Sequence, residues 1–312
     1  MEWIEAINFA VIGAILGYAK RSMSSKKEEI DDLVYSGVKL SEIAKQASVV
    51  LGCSITAVEE KFRETEAAFL RLKDELGDEL RILSVRCADY PHSLSVLSEA
   101  PRFLFAQGHL DFLQSKCISV VGTRNPTLEG IKRAQKIGVL LSKAGYTVVS
   151  GLAKGIDTAA HTATIKAGGR TIGVIGTPLG QYYPRENRKL QDKIGIDQLL
   201  ISQFPPSQPV SKFNFPVRNL TMGGLCIGTV IVEAGETSGA LYQARYCIQS
   251  GRRLFLMKSL LENKNLEWPR KFVEKGAIVI SDIDDLLNEV KDFEISNTGK
   301  SSSADKQLKL FG

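Results

Sequence analysis

From Cys117 onward the chain alternates short, nearly continuous apolar runs with stretches of helical periodicity, and no other feature restricts its fold so strongly. Strand-like runs fall at Cys117–Val121, Thr147–Ser150, Thr171–Ile175, Leu199–Ser202, Thr229–Glu233, Leu254–Met257 and Ile278–Ile280. Helical patterns run from about Thr127 to Ala144, Thr158 to Ala167, Glu186 to Ile194, Val217 to Leu225, Gly239 to Gln249, Trp268 to Lys275 and Ile283 to Val290. Strands that are apolar throughout must be covered on both faces, which is the situation of a parallel sheet. Right-handed crossovers then place helices on both sides of it. The predicted fold class is α/β, a doubly wound, mainly parallel, Rossmann-like sheet.

Residues 1–88 read instead as a small helical N-terminal domain. Apolar positions recur at helical spacing in Ile30, Leu33, Val34 and again in Leu40, Ile43, Ala44, with Ser41 marking a helix start. Thr56 to Leu76 is a long, charged, amphipathic helix. The run Ala6–Ala19 is apolar apart from Asn8. It is too short to cross a bilayer as a helix, and no basic residue precedes it. It reads as a buried helix, with a membrane or oligomer contact as the alternative, because periodicity does not separate these. At the other end, residues 291–312 form a polar tail without a core pattern, predicted to be disordered.

Composition adds limits rather than a function. The 312 residues, 44% hydrophobic and 24% charged, allow one large domain and a small one. A net charge of +5 permits an anionic partner without requiring one. Five scattered cysteines, none in a CxxC pair, predict reduced thiols and a cytoplasmic setting. Only three histidines are present and none neighbours a cysteine, so no metal site is expected.

The chemistry is predicted to lie in the loops that follow the strands. These read Gly122-Thr123-Arg124, Ser150-Gly151-Leu152-Ala153-Lys154-Gly155-Ile156-Asp157, Gly176-Thr177, and Glu233-Ala234-Gly235-Glu236-Thr237-Ser238-Gly239. In an open parallel sheet such loops gather at the carboxyl edge, where ligands bind. Glycines let backbone N–H groups approach an anion, and helix N-termini behind them add positive partial charge. Tight strand-to-helix turns need glycine in any such fold, so the same loops also admit a purely structural reading. No GxxxxGK[ST], GxGxxG or GxSxG pattern is present, which argues against a P-loop nucleotidase, a dinucleotide enzyme and an α/β-hydrolase. His161 reads as structural. A second segment, Ser211 to Asn219, interleaves Lys212 and Arg218 with Phe213 and Phe215. Stacking plus phosphate neutralisation is how proteins hold single strands without reading sequence. The alternative is a connection whose phenylalanines enter the core.

Taken in order, these segments resemble the DNA-processing protein A (DprA/Smf) family. The matching stretches are Gly122-Thr123-Arg124, Ser150 to His161, Gly176-Thr177-Pro178-Leu179 with Tyr183-Pro184-Arg185-Glu186-Asn187, Phe204-Pro205-Pro206, Phe215-Pro216-Val217-Arg218-Asn219, and Val232-Glu233-Ala234 with Ser238-Gly239. Tyr90-Pro91 and Pro101 to Gly108 resemble the family's lead-in, so the resemblance spans residues 89–290. It departs from the family at Gln203, at Leu220 and at Lys258-Ser259, and the polar tail stands where many members carry a winged helix. The resemblance implies an extended Rossmann fold, single-stranded DNA binding without catalysis or cofactor, a homodimer, and loading of a RecA-type recombinase. It implies a phosphate pocket of Gly122, Thr123, Arg124, Ser150, Gly151 and Lys154, joined by Lys212, Phe215 and Arg218. Arg124, Lys154, Lys212 and Arg218 would then meet phosphates and Phe215 would stack on a base.

Two further expectations remain. Gln307-Leu308-Lys309-Leu310-Phe311 is similar to the peptide by which bacterial proteins dock on the replication sliding clamp, with Gln307, Leu308, Leu310 and Phe311 as its anchors. The alternatives to a DNA-binding module are a sensor of a nucleotide messenger in the same pocket, and a nucleotide glycosidic-bond hydrolase in which Glu233 and Arg124 form the working pair.

Overall fold

The computed structural model describes residues 1–18, 26–98 and 100–291. The tail peptide, with Gln307, Leu308, Leu310 and Phe311, lies outside them, as does residue 19 at the end of the N-terminal apolar run.

Among the described residues the chain opens with α1 (Glu2–Leu16), α2 (Lys27–Val34), α3 (Ala44–Leu51) and α4 (Ile55–Leu76). The strand β1 (Leu80–Ser84), a short α5 (His92–Ser95) and β2 (Phe103–Gly108) follow. Then come β3 (Cys117–Val121), α6 (Leu128–Lys143), β4 (Thr147–Ser150), α7 (Ile156–Lys166), β5 (Thr171–Ile175), α8 (Arg188–Asp197) and β6 (Leu199–Ser202). The chain ends through α9 (Asn214–Leu225), β7 (Gly228–Ile231), α10 (Ala240–Gln249), β8 (Arg253–Met257), α11 (Lys258–Glu262), α12 (Trp268–Val273), β9 (Ile278–Ile280) and α13 (Ile283–Lys291).

The nine strands form one sheet in the order β1-β2-β6-β5-β4-β3-β7-β8-β9. Pairings from β6 through β9 are parallel, whereas β2 runs antiparallel to both β6 and β1. The α/β expectation therefore holds, with an antiparallel pair added at one edge. That pair corrects the reading of residues 1–88 as helical: helix ends at Leu76, and Leu80–Ser84 pairs with β2 in a register that runs from Leu80↔Gln107 to Ser84↔Phe103. Residue 41 starts no helix; α3 begins three residues later, at Ala44.

Alternate residues of β2 point to opposite faces. Leu104 and Ala106 enter the core built around α6, α7, α9 and α10. Phe103 and Phe105 enter a second core filled by the N-terminal helices. There Phe69 of α4 meets Phe105 edge-on at 5.7 Å, and Phe9 of α1 lies 5.5 Å from Phe103. Phe62, Phe69, Phe103 and Phe105 are fully buried, and each contributes roughly 1.5–3 kcal/mol. As far as Leu16 the apolar run is helix α1, whose buried positions, up to Gly13, pack in this second core. Its one polar residue, Asn8, is spent as a staple: Nδ2 donates to the carbonyls of Leu33 and Val38, and Oδ1 accepts from Leu40 N–H at 3.1 Å. Among the described residues no helix is long and apolar enough to cross a membrane.

Candidate functional site

After β3 the chain moves outward through β4, β5 and β6, then returns to add β7 on the other side of β3. The order reverses at β3/β7, and a doubly wound sheet opens a crevice at the carboxyl ends of such a pair. A cavity of about 490 Å³ occupies that crevice, between Gly122–Asn125 after β3 and Gly235–Gly239 before α10. Thr123 N–H donates to Glu233 O at 2.6 Å, and Ile156 N–H donates to Thr123 O at 3.3 Å, which ties the first loop to both neighbours. Gly122, Thr123 and Arg124 all line the cavity, and Arg124 is exposed.

The loop after β4 is built differently from the expected phosphate cradle. Its amides already hold an anion, the carboxylate of Asp157: Oδ2 accepts from Gly151 N–H at 3.0 Å and Ala153 N–H at 3.4 Å. Burial pushes the Asp157 carboxyl up, opposed by the charge of Arg218 and by those two amides. Ser150 is fully buried and donates its hydroxyl to Val120 O at 2.6 Å, so it faces away from any ligand. Arg218 is 5% exposed and reaches under the loop, donating from Nη1 to Gly151 O at 2.6 Å and to Val174 O. A Cβ on residue 151 would lie 2.5 Å from the guanidinium, which is why glycine stands there. Burial lowers the Arg218 pKa to about 10, with Asp157 opposing and Arg124 adding, and the group stays charged at neutral pH. Leu152 adopts φ 55°, a conformation that costs a residue of its kind of order 1–3 kcal/mol. Asn187 secures it, donating from Nδ2 to Leu152 O at 2.8 Å and to Thr158 Oγ1 at 2.9 Å. Ser150, Gly151 and Arg218 are therefore framework, whereas the sequence assigned them to phosphate; Gly151 and Arg218 still contribute to the floor of a second cavity.

That second cavity, of about 240 Å³, is bounded by Lys154, Tyr183 and Pro184 on its outer side. It shares Arg124, Asn125, Ala153, Phe215 and Arg218 with the larger one. Phe215 packs on the backbone of Gly176, where a Cβ would sit 2.6 Å from the ring. Its centroid lies 4.9 Å from that of Tyr183, and the Arg124 guanidinium is 5.9 Å away. Lys154 is half-exposed and bound to Glu186 at 2.5 Å, a contact that lowers the Glu186 pKa. Lys212 lines neither cavity. Its ammonium lies 5.3 Å from the ring of Phe213, which is 67% exposed, so the expected Lys212 and Phe215 pair is divided between the rim and the pocket wall. The sequence did not single out Tyr183, Glu186 or Asp157 as site residues. Tyr183 and Glu186 stand in a motif of the family resemblance, and Asp157 left a local signal, a carboxylate in the first turn of a helix behind glycines.

With these motifs in place on the sheet, residues 81–291 match the DNA recombination-mediator protein A family. The chain belongs to that family. It is 39% identical over 200 residues to the DNA processing protein DprA of Streptococcus pneumoniae, covering 64% of this chain and 71% of the relative. The X-ray structure of the S. pneumoniae protein superposes with a TM-score of 0.69 at 32% identity, covering 94% of this chain and 96% of that one. The DNA processing protein A of Helicobacter pylori, a structure described for its single-stranded DNA binding mode, gives a TM-score of 0.62 at 25% identity over 69% of this chain and 98% of that one. The family match starts inside β1 and ends with α13, so it takes in the sheet and leaves α1–α4 outside.

Within this family member two residues weighed for catalysis have structural positions. Glu233 accepts from Thr127 N–H at 3.2 Å and from Thr127 Oγ1 at 2.8 Å, where it closes the N-terminus of α6. It does not line either cavity. His161 is fully buried, with Nδ1 bonded to Thr171 Oγ1 at 2.7 Å. Burial, reinforced by the charge of Arg218, lowers its pKa to about 3 and keeps it neutral.

Proposed function

We propose that the protein binds single-stranded DNA across the carboxyl edge of its sheet and acts in the cytoplasm as a mediator of recombination. In this reading it works as a homodimer that protects strands and helps load a RecA-type recombinase on them. Arg124 and Lys154 neutralise phosphates, Lys212 does so from the rim, and Phe215 stacks on a base. The observation that carries the reading is the meeting of exposed Arg124, Lys154 and the Phe215 ring at the topological switch point, where among the described residues the only carboxylate lining the cavities is buried Asp157. Aromatic faces beside cations suit strands of any sequence. The tail peptide around Leu310 and Phe311 is proposed to dock on the sliding clamp, and loss of clamp binding on removing residues 307–312 would support it.

The test is a fluorescence titration of single- and double-stranded oligonucleotides with the intact chain and with Lys212→Ala/Phe215→Ala. Single-strand-selective binding that weakens in the variant supports the reading, and no binding by the intact protein overturns it. One alternative keeps a specific support: a cavity of about 490 Å³ is large enough for a small-molecule ligand. A nucleotide messenger held there would bind in the absence of DNA and resist competition by long strands. The hydrolase alternative lacks its carboxylate, since Glu233 is spent on the start of α6.

A further inference from the structure

The two cavities are neighbours with a shared wall. Phe215 and Arg124 face both of them, and beyond this wall the linings diverge. On one side the larger cavity is bounded by Asn219 and Gln243; Gln243 keeps a buried Oε1 that has no partner among the described residues. On the other side the smaller cavity is bounded by Lys154 and by the face of Tyr183, a ring 48% exposed to solvent. At about 240 Å³ it is below the usual range for a drug-sized ligand and suits a single base.

Resting on the single-strand reading above, we infer that the two cavities take successive nucleotides of one strand, one base in each, with Phe215 between them and the solvent-exposed face of Tyr183 as the second stacking ring. The phosphate that joins the two nucleotides crosses the wall beside Arg124, 5.9 Å from the Phe215 centroid, and the next one reaches Lys154. An aromatic ring between two bases opens their spacing from about 3.4 Å to roughly twice that value. A single strand accommodates this by unstacking. A duplex would have to unstack two paired strands at once, so the wall itself discriminates against paired DNA. The selectivity resides in Phe215 and Tyr183 rather than in any base-reading contact.

Two measurements on the full chain test the inference. In the first, Tyr183→Ala and Tyr183→Phe are titrated against a short fluorescent single strand, with thermal midpoints recorded alongside. Tyr183→Ala should lower affinity roughly five- to a hundredfold, the worth of one stacked base, and Tyr183→Phe should restore it. In the second, the shortest 2-aminopurine strand that binds is followed by circular dichroism. Its stacking band should fall on saturation with the intact protein and persist more strongly with Phe215→Ala. Unchanged affinity in Tyr183→Ala overturns the assignment of the second ring, and an unchanged stacking band overturns the splayed arrangement, while strand binding by the intact protein leaves the underlying reading in force. If the intact protein binds no strand, the underlying reading and the inference fall together.

Discussion

Arg218 donates from Nη1 to the carbonyl oxygen of Gly151 across 2.6 Å, joining residues 67 apart in the chain. The same guanidinium reaches Val174 O on the next strand and balances the buried charge of Asp157. A basic residue of the Phe215–Asn219 segment, expected from sequence to meet DNA, thus acts as a strut under the loop after β4. Of the four basic residues read from the sequence, Arg124, Lys154 and Lys212 stay exposed.

Removal of that strut should cost stability first. Arg218→Ala leaves two carbonyls and a buried carboxylate without their partner, and breaking such a buried arrangement costs about 3–5 kcal/mol. Arg218→Lys should recover little, because an ammonium does not reproduce the fork of a guanidinium. Urea denaturation reads both. A variant of native stability that has lost DNA affinity would instead return Arg218 to the phosphates.

The rim and the wall should separate by salt. Phe215→Ala should weaken strand binding by about 1–3 kcal/mol with the salt slope unchanged. Lys212→Ala should lower the slope of log affinity against log salt by about 0.7 if it meets one phosphate. Titrations at several salt concentrations distinguish the two, and a slope unaltered in Lys212→Ala removes that lysine from the interface.

In the proposed complex Glu186 competes with phosphate for Lys154. Glu186→Gln frees the ammonium and removes a negative charge from the cavity mouth, so strand affinity should rise roughly two- to fivefold, in keeping with the modest strength of exposed pairs. The pair lowers the Glu186 pKa from 4.5, so the carboxylate stays charged at neutral pH and the effect should fade only in more acid solution. Equal affinities of the two proteins at neutral pH would show that the ion pair does not gate the site.

His161 should make stability depend on acid. Its folded pKa of about 3 lies below the ordinary 6.5, so the unfolded chain binds the extra proton between these values. Its contribution is complete above pH 6.5 and is lost as pH falls toward 3, at up to about 1.4 kcal/mol per pH unit. Asp157, shifted upward, titrates with the opposite sign. The difference between denaturation curves of the intact chain and His161→Gln isolates the histidine, and parallel curves across that window would place its proton elsewhere.

Much of the sheet was legible because each central strand announces itself locally. Thr171–Ile175 and Leu199–Ser202 fall where their apolar runs stand, since a strand covered on both faces needs apolar residues throughout. The strand Leu80–Ser84 was not legible. It is short, half-exposed and follows directly on a long helix, and its structure depends on Phe103–Gly108, which in turn pairs with Leu199–Ser202. No local pattern carries that information.

The same division runs through the site. Sequence alone pointed to glycine-rich loops, four basic residues and an aromatic segment gathering at one edge, because chain order and right-handed crossovers leave a doubly wound sheet little freedom. Only the tertiary structure decided which of those groups face a ligand. Arg218 and Ser150 are polar residues that the fold buries, and burial obliges each to find a partner within the protein, Gly151 O for one and Val120 O for the other. Arg124 and Lys154 remain at the surface, and Tyr183 comes to stand beside Phe215 because the segments that follow the paired parallel strands β5 and β6 meet at one edge of the sheet.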